Sequence, residues 1–463
     1  MKPFLSPMFG SHMVLQRGIK APVWGWAAPG TTVTVAIAGK SADAVAGADG
    51  RWLARIGPLK AGGPHTLTVN GPKSVTLDDV LVGDVWVASG QSNMEMTVAE
   101  SRDAAKEIAA ANYPRLRLYK VNRCVALEPQ DIPVGHWDEC APSTVSAFSA
   151  IAYYFGREVH TRTDIPIGLV ETCWGGTVAE AWTSAEALAQ IPDFAPALAK
   201  NRMLKRQLSS NPKSVDLSDQ PNLATVLFNG MVAPVIPFGI KGAIWYQGSS
   251  NAARAYQYRT LLPTMINDWR ARWGVGDFPF YIGQLYNYMA QKPEPGDDEW
   301  AELREAQSMT AKALPHSGIA VAIDIGETET IHPLNKQDLG RRLALNALAK
   351  DYGKKVEYSG PDYQSMKVES GKIRLTFTHI GGGLVAKGGK LTGFAIAGVD
   401  RKFVWADVVI DGESVVVSSS GVPEPVAVRY AWASNPVCNL YNKGGLPASP
   451  FRTDDWPGIT QPK

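Results

Sequence analysis

The feature that most constrains the fold is a series of strand-length apolar runs between about residues 81 and 350. The runs are Val82–Ala88, Leu116–Val121, Ile165–Val170, Ile240–Tyr246, Phe278–Ile282 and Ile319–Ile325. Residues such as Phe148, Ile151 and Phe155 recur between them at helical spacing. Apolar strands that alternate with helices predict an α/β fold with a mainly parallel sheet. In such folds, ligands bind beyond the carboxyl ends of the strands.

The segments on either side of this region carry the alternating pattern of β structure. Thr32–Ile37 alternates with a period of two, and two Val-rich runs flank Asp411-Gly412, which is a strong hairpin signal. We therefore predict three domains: an N-terminal β-sandwich (1–80), an α/β catalytic domain (81–354) and a C-terminal β-sandwich (355–463).

Composition excludes several classes of protein. The net charge is +2, which argues against a nucleic-acid or membrane-surface binder held by bulk charge. No apolar run is long enough to cross a membrane. The N-terminus lacks an apolar leader, so we expect a cytoplasmic protein, or a periplasmic or secreted one if a signal peptide has been removed. The four cysteines lack CxxC spacing, and we predict no metal and no cofactor; the oligomeric state stays open.

A serine follows the first of the buried strands. Val85–Ala88 leads into Ser89-Gly90-Gln91-Ser92-Asn93, with a helix-compatible stretch beyond. A serine at the start of a helix lies near backbone N–H groups, which suits a nucleophile that forms an oxyanion. The alternative is that Ser92 or Ser89 only caps the helix. The usual GxSxG nucleophile pattern is absent.

A serine nucleophile needs a base, and His332 is the histidine best placed to be one. It lies between the run ending at Ile325 and a predicted helix from Lys336 to Ala349. Glu329 precedes it by three residues and is a candidate to orient the imidazole. The alternatives are a loop histidine satisfied by backbone groups and a solvated loop carboxylate.

Two other strand ends carry hydrogen-bond donors. Trp174-Gly175-Gly176-Thr177 follows one strand, and its glycines allow backbone N–H groups to approach a ligand oxygen. Gln247, which follows Trp245-Tyr246, offers a side-chain amide. Together with a serine and a histidine, these donors indicate an acyl hydrolase.

These motifs resemble the bacterial sialate O-acetylesterase family, which belongs to the GDSL-like (SGNH) serine hydrolases. The similarity rests on Ser89–Glu95, Trp174–Thr177, Trp245–Gly248 and Ile331–Pro333, and it extends to His12–Arg17 and Gly445–Asp454. It implies an SGNH-type (flavodoxin-like) core and removal of acetyl groups from sugar hydroxyls.

The resemblance also implies residue roles. Ser92 is the nucleophile and His332 the base, and the oxyanion donors are the N–H of Ser92, an N–H of Gly175 or Gly176, and the Gln247 side chain. We expect Trp174, Asn251 and Arg304 to bind the substrate. The family usually has glutamate after its Gln-Gly pair, where this chain has Ser249, and aspartate where this chain has Glu329.

Two other functions compete with a carbohydrate O-acetylesterase. One is a non-catalytic carbohydrate-binding protein on a decayed esterase scaffold. The other is a glycosidase with paired carboxylates drawn from Glu95, Glu171, Glu180 and Asp324. For the esterase, the aromatic residues Trp174, Trp182, Trp245 and Tyr246 favour a neutral acetylated plant-type glycan, whereas Arg254 and Arg304 favour a sialic acid. The expected partner is thus an acetylated carbohydrate.

Overall fold

The computed structural model describes residues 2–212 and 214–462. It has a mixed α/β fold that divides into two compact units. The first contains the chain up to Trp245 together with Pro263–Phe280, and the second contains Tyr246–Leu262 and Tyr281 onwards. None of the helices among the described residues is long and apolar enough to cross a membrane.

The first unit contains strands β1 to β11 and most of the helices. The strands are β1 (Val14–Gln16), β2 (Ala21–Trp26), β3 (Thr32–Ile37), β4 (Lys40–Val45), β5 (Arg51–Ile56), β6 (Gly62–Asn70), β7 (Ser74–Gly90), β8 (Tyr113–Lys120), β9 (Trp137–Cys140), β10 (Ile167–Cys173) and β11 (Gly242–Tyr246). The helices are α1 (Ser92–Glu95), α2 (Ala104–Ala109), α3 (Pro142–Val145), α4 (Ala150–Thr163), α5 (Ala185–Leu188), α6 (Ala195–Ser210) and α7 (Ala255–Trp273), of which the last begins in the second unit.

Strand β7 organises the first unit. Its first half alternates between exposed and half-buried residues and pairs antiparallel with β6, whereas every residue from Val80 to Gly90 is buried. The buried half lies in a sheet of order β11-β7-β10-β8-β9. Strands β7, β10 and β8 are parallel, and β9 is antiparallel, so the sheet is mixed. The strand is continuous through residues 80 and 81, so the predicted boundary there falls inside one element.

Helix α4 covers the buried part of this sheet. The Ser149 hydroxyl caps it by accepting a hydrogen bond from the Ala152 N–H. Phe155 of α4 contacts Trp86 of β7 edge to face, with ring centroids 5.0 Å apart. The helix predicted from Phe148, Ile151 and Phe155 is therefore confirmed for Ile151 and Phe155, whereas Phe148 precedes it.

The second unit contains the remaining elements. They are β12 (Phe280–Gly283), α8 (Glu299–Ala313), β13 (Ser317–Ala320), α9 (Gln337–Lys350), β14 (Asp362–Glu369), β15 (Lys372–Thr378), β16 (Leu384–Ala386), β17 (Phe394–Ala397), β18 (Val404–Trp405), β19 (Asp407–Asp411), β20 (Ser414–Ser418), β21 (Ala427–Tyr430), β22 (Leu440–Asn442) and β23 (Phe451–Arg452).

Two four-stranded antiparallel sheets fill the C-terminal part of this unit. Their orders are β14-β15-β20-β19 and β18-β17-β21-β23, and their buried side chains form one hydrophobic cluster. Asp411 pairs with Ser414 across a tight turn, which confirms the predicted hairpin. The three-domain division itself stays a prediction.

One predicted strand is wrong in extent. The run Ile319–Ile325 is a strand only as far as Ala320. Val321 and Ile323 instead join the hydrophobic cluster of the C-terminal sheets. Further along, the Asn287 side-chain oxygen accepts a hydrogen bond from the Gly326 N–H at 2.6 Å. The apolar residues are buried as expected, but packing against another sheet replaces strand pairing.

Candidate active site

Ser92 lies where strand β7 ends. It is the first residue of α1, and the strand beside it, β10, is parallel with Cys173 paired to Gly90. The Trp174 N–H donates to the Gly90 carbonyl at 3.1 Å, so the turns that follow both strands start at the same level. The predicted convergence of the serine and glycine motifs at one sheet edge is confirmed.

The backbone of Gly175 packs directly against the serine. A methyl group at Gly175 would lie 3.2 Å from Ser92 Cβ and 2.9 Å from Glu95 Oε2. Both distances are shorter than ordinary van der Waals contacts, so only glycine fits without displacing a neighbour. The glycine turn therefore forms one wall of the space around Ser92.

Hydrogen bonds fix this turn. The Gly175 N–H donates to Glu95 Oε2 at 2.8 Å, and Asn222 Nδ2 donates to the Gly176 carbonyl at 3.1 Å. Because the Glu95 carboxylate occupies the Gly175 N–H, the expectation that Gly175 donates to an oxyanion is not supported. Gly176 is exposed with φ +72°, and its N–H donates no hydrogen bond among residues 2–212 and 214–462. It is the stronger candidate donor.

Glu95 and Arg123 complete this wall. The sequence alone does not assign either residue to the serine site. Arg123 Nε donates to Glu95 Oε1 at 3.0 Å, and the guanidinium lies 5.0 Å from the centroid of the Trp174 ring. Trp174, a predicted substrate contact, is half-buried here. Glu95 is the last residue of the Ser89–Glu95 motif, and the sequence suggests no role for it beyond that of a possible glycosidase acid. No local pattern points to Arg123, which lies 28 positions further along the chain.

The helix-cap alternative for the serines is wrong. The helix predicted beyond the serines is α2, whose N-cap residue is Asp103, and the N-cap residue of α1 is Gln91, whose side chain makes no capping hydrogen bond. Ser89 is a fully buried residue of β7 whose hydroxyl has no hydrogen-bond partner in the described part of the chain. Neither Ser89 nor Ser92 is therefore explained as a cap.

The carboxylates proposed for a glycosidase have structural partners. Glu171 is buried in β10, where it accepts from the Ser149 N–H at 2.9 Å and lies 3.1 Å from Lys120 Nζ. Burial raises the pKa of Glu171, and it raises the pKa of Cys173 well above its usual value, so Cys173 is not a reactive thiolate. Glu180 is buried, and Asp324 accepts two hydrogen bonds from Arg342. These contacts account for Glu171 and Asp324 without a catalytic role.

In the second unit, Gln247 is fully buried within a hydrogen-bond network. Its Oε1 accepts from the Tyr258 hydroxyl at 2.8 Å, and its Nε2 donates to Asn251 Oδ1 at 2.6 Å. Gln307 Nε2 donates to the Gln247 carbonyl at 3.0 Å. Asn251 is 1% exposed, so it orients the Gln247 amide and has little surface for the predicted substrate contact.

Gly248 shows why a glycine must follow Gln247. Its φ is +150°, and a methyl group there would lie 2.3 Å from Leu303 Cδ2. The loop thus lies directly on α8, and Ser249 begins the 3₁₀ turn that carries Asn251. The serine that replaces the family's glutamate is accommodated in a regular turn.

His332 lies in a loop before α9, as predicted, and is half-buried. Its backbone N–H donates to the Thr330 hydroxyl at 3.0 Å, which fixes the main chain. Glu329 is exposed, and its side chain makes no hydrogen bond or ion pair with any residue that the structure describes. The structure therefore gives no support to the expectation that Glu329 orients the imidazole, and that role stays a prediction.

Arg304 is a second correction. It is fully buried in α8, and its guanidinium donates to four backbone carbonyls, those of Leu285, Tyr286, Ala433 and Ser434. Burial lowers the pKa of Arg304 to about 10. An arginine whose donors are all directed at internal carbonyls holds loops together, so the expected contact with substrate is wrong.

Three of the four aromatic residues expected near the substrate belong to the core. Trp182, Trp245 and Tyr246 are at most 1% exposed. Trp182 and Trp245 pack edge to face with centroids 6.2 Å apart. Only Trp174 keeps accessible surface, so the aromatic argument for a neutral glycan loses most of its support.

Comparison with known proteins shows the family of the chain. The family model described as "Carbohydrate esterase, sialic acid-specific acetylesterase" matches residues 82–349, more than half of the chain. The human sialate O-acetylesterase is 30% identical over 97% of this chain and 92% of its own length, and the mouse enzyme is 29% identical over 95% and 92%. The crystal structure of a carbohydrate acetylesterase from Xanthomonas citri is 40% identical, with a TM-score of 0.88 over 98% of this chain and 100% of that one.

These likenesses define the class of protein: the chain is a carboxylic ester hydrolase that deacetylates carbohydrates. It belongs to the sialic acid-specific acetylesterase family of carbohydrate esterases. The non-catalytic alternative is thereby disfavoured, and the residues that perform the reaction are the next question.

Proposed function

We propose that the protein is a serine carbohydrate O-acetylesterase of the SGNH type and that Ser92 is its nucleophile. The observation that carries this proposal is the close approach of Gly175 to Ser92 at the shared carboxyl end of β7 and β10, where a methyl group added at Gly175 would lie 3.2 Å from Ser92 Cβ. Parallel strand ends are where α/β folds bind ligands, and glycines in the turn that follows allow backbone N–H groups to approach a ligand oxygen. We further propose that β-sandwiches flank a flavodoxin-like core.

The reaction proceeds through an acetyl-enzyme. His332 takes the hydroxyl proton as Ser92 Oγ attacks the acetyl carbonyl, which forms a tetrahedral oxyanion. Collapse breaks the bond to the sugar oxygen, and the imidazolium returns its proton to that oxygen. His332 then activates a water molecule, whose attack on the acetyl-enzyme releases acetate and restores the serine.

The oxyanion donors in this proposal are the N–H groups of Ser92 and Gly176. Both belong to turns that the fold holds rigidly, and Asn222 anchors Gly176 through its carbonyl. Preorganised donors stabilise the transition state because they need no reorientation during the reaction. Gln247, which the resemblance implies as a further donor, is fully buried with its amide held between Tyr258 and Asn251, so it is left out of the proposed donors.

The substrate is an O-acetylated sugar, and we propose that a neutral acetylated residue occupies the site. Arg123 is the cation next to the glycine turn, and Glu95 already neutralises it. A paired arginine attracts a second carboxylate less than a free one, and the half-buried Trp174 ring offers an apolar surface beside it.

Kinetics of two serine variants test the nucleophile. Ser92→Ala removes the attacking oxygen, so kcat/KM for p-nitrophenyl acetate should fall by at least about 10³-fold. Ser89→Ala is the matched control, three residues earlier and inside strand β7, and it should stay within about twofold of wild type because its buried hydroxyl has no partner in the described residues. Full activity in Ser92→Ala would refute the assignment.

Acetate release from three substrates, measured side by side, tests the sugar. The substrates are acetylated xyloglucan, acetylated xylan and 9-O-acetylated sialic acid. A neutral preference predicts higher kcat/KM on one of the two plant polysaccharides. A tenfold or greater preference for the sialic acid, which is about 1.4 kcal/mol in transition-state binding, would overturn the neutral assignment without affecting the role of Ser92.

A further inference from the structure

The second unit contains an open groove whose residues have no part in the proposed reaction. A cavity of about 480 Å³ lies among the loop Pro295–Asp297, the segment Arg401–Phe403 and the chain around Trp456. This volume falls within the usual range of small-molecule sites, about 300–1,000 Å³. It is large enough for a sugar residue.

Aromatic rings form one side of this groove. The rings of Phe403 and Trp456 are 5.6 Å apart at their centroids and inclined by 56°. A smaller cavity shares Pro295, Gly296, Phe403 and Arg429 with the groove and extends it to Trp405 and Trp432. Trp405 is 46% exposed. Partly exposed flat rings of this kind suit the apolar C–H faces of a sugar.

The groove also carries two cations without carboxylate partners. Arg401 and Lys402 are exposed, and neither forms an ion pair within residues 2–212 and 214–462. The Arg401 guanidinium lies 5.3 Å from the centroid of Trp456. The lining carboxylate of Asp297 is already paired with Arg429 at 2.8 Å. The groove therefore has two cationic side chains without ion pairs beside its aromatic rings, and the nearby Asp400 carboxylate accepts from the Lys402 backbone N–H at 3.2 Å.

A buried donor and a fixed backbone complete the site. Trp432 is 8% exposed, and its indole N–H, which lines the small cavity, has no acceptor in the described residues. Arg452 Nη1 donates to the Trp456 carbonyl at 2.6 Å, and the N–H of Ile459 donates to Glu302 at 2.7 Å. These bonds hold the C-terminal segment in place, so the groove is formed before any ligand binds.

From these features we propose that the groove binds an acidic sugar residue of a glycan. The ring of the sugar packs on Trp456 and Phe403, and its carboxylate pairs with Arg401 and Lys402. Arginine in particular matches a carboxylate with two parallel donors. The site goes beyond the proposed esterase activity, because it needs neither an acetyl group nor Ser92. Uronic acids and sialic acids share this chemistry.

Calorimetric titration of the whole protein tests the site with sugars that carry no ester. The ligands are methyl glucuronide, the methyl glycoside of N-acetylneuraminic acid, methyl glucoside and sodium acetate. We expect one or both acidic sugars to bind at least about tenfold more tightly than methyl glucoside and acetate. Preference for the glucuronide identifies a uronate site, and preference for the sialoside identifies a sialate site. Equal affinity for methyl glucoside or for acetate would overturn the proposal.

Variants locate the binding in the groove. Lys402→Glu reverses an exposed charge and should remove most of the preference for the acidic sugar. Lys354 is an exposed lysine outside the groove lining, so the control variant Lys354→Glu should keep that preference. Trp456→Ala should lose binding of the sugars altogether. Hydrolysis of p-nitrophenyl acetate should be unchanged in Lys402→Glu, which separates this proposal from the role of Ser92. Unaltered acidic-sugar affinity in Lys402→Glu would refute it.

Discussion

Replacing Gly175 by alanine tests the geometry around the serine. The added methyl group would meet Ser92 Cβ at 3.2 Å and Glu95 Oε2 at 2.9 Å, whereas carbon atoms in contact normally lie about 3.5–4.0 Å apart. Glu95 is held by Arg123 and by the Gly175 N–H itself, so it resists displacement. We therefore expect the serine side of the contact to move by about 0.5 Å.

The size of the effect follows from that displacement. Misplacement of a reacting group by about 1 Å costs about 10²-fold in rate, so half of it should lower kcat/KM for p-nitrophenyl acetate by about tenfold, or about 1.4 kcal/mol. Gly421→Ala is the control, since its methyl group would lie 3.7 Å from the Ser419 hydroxyl oxygen, an ordinary contact distance, and should change nothing. A folded Gly175→Ala enzyme with wild-type kcat/KM would show that Ser92 is not constrained by this turn.

Three further predictions concern residues away from the nucleophile. Arg304→Met should lower the free energy of unfolding by at least about 3 kcal/mol in urea, because four buried carbonyls lose their donor; a small loss with a raised KM would favour a substrate contact instead. Glu329→Gln should leave kcat and its pH profile unchanged, because the exposed carboxylate has no partner in the described residues; a shifted profile would restore it to the catalytic set. Burial disfavours ionised Asp79, but hydrogen bonds from Arg117 and His12 outweigh it and lower the pKa of Asp79 from 3.8 to about 2. The ionised Asp79 thus stabilises the folded protein above pH 4, and this stabilisation is lost as the pH falls toward 2. Asp79→Asn should therefore lower the free energy of unfolding by about 1 kcal/mol at pH 6 and flatten the acid-unfolding curve. An unchanged curve would contradict this coupling.

The sequence predicted the elements whose burial follows a simple period. Strands β7, β8 and β10 lie where the apolar runs predict, because residues covered on both faces must be apolar. The same logic failed beyond Ala320, since an apolar run also fits an irregular segment that packs against another sheet. An apolar run in the sequence indicates that the segment is buried, but the segment forms a strand only where its backbone pairs with a neighbouring strand.

The site was predictable where it depends on strand order and unpredictable where it depends on side-chain direction. Ser92 and Gly175 meet because β7 and β10 are parallel neighbours. Trp245 and Tyr246 stand next to Gln247 in the sequence, yet both are core residues because every residue of β11 is buried. Arg123 reaches Glu95 from 28 positions away, and no local pattern encodes such a contact.

Labelling with a serine-reactive organophosphonate tests the central claim most directly. The account predicts that the reagent modifies the wild-type protein at one residue, that peptide mapping by mass spectrometry places the adduct on Ser92, and that esterase activity is lost in proportion to labelling. The Ser92→Ala protein should remain unlabelled, and Ser89→Ala should be labelled like wild type. An adduct on another serine, or complete loss of activity with Ser92 unmodified, would contradict the account.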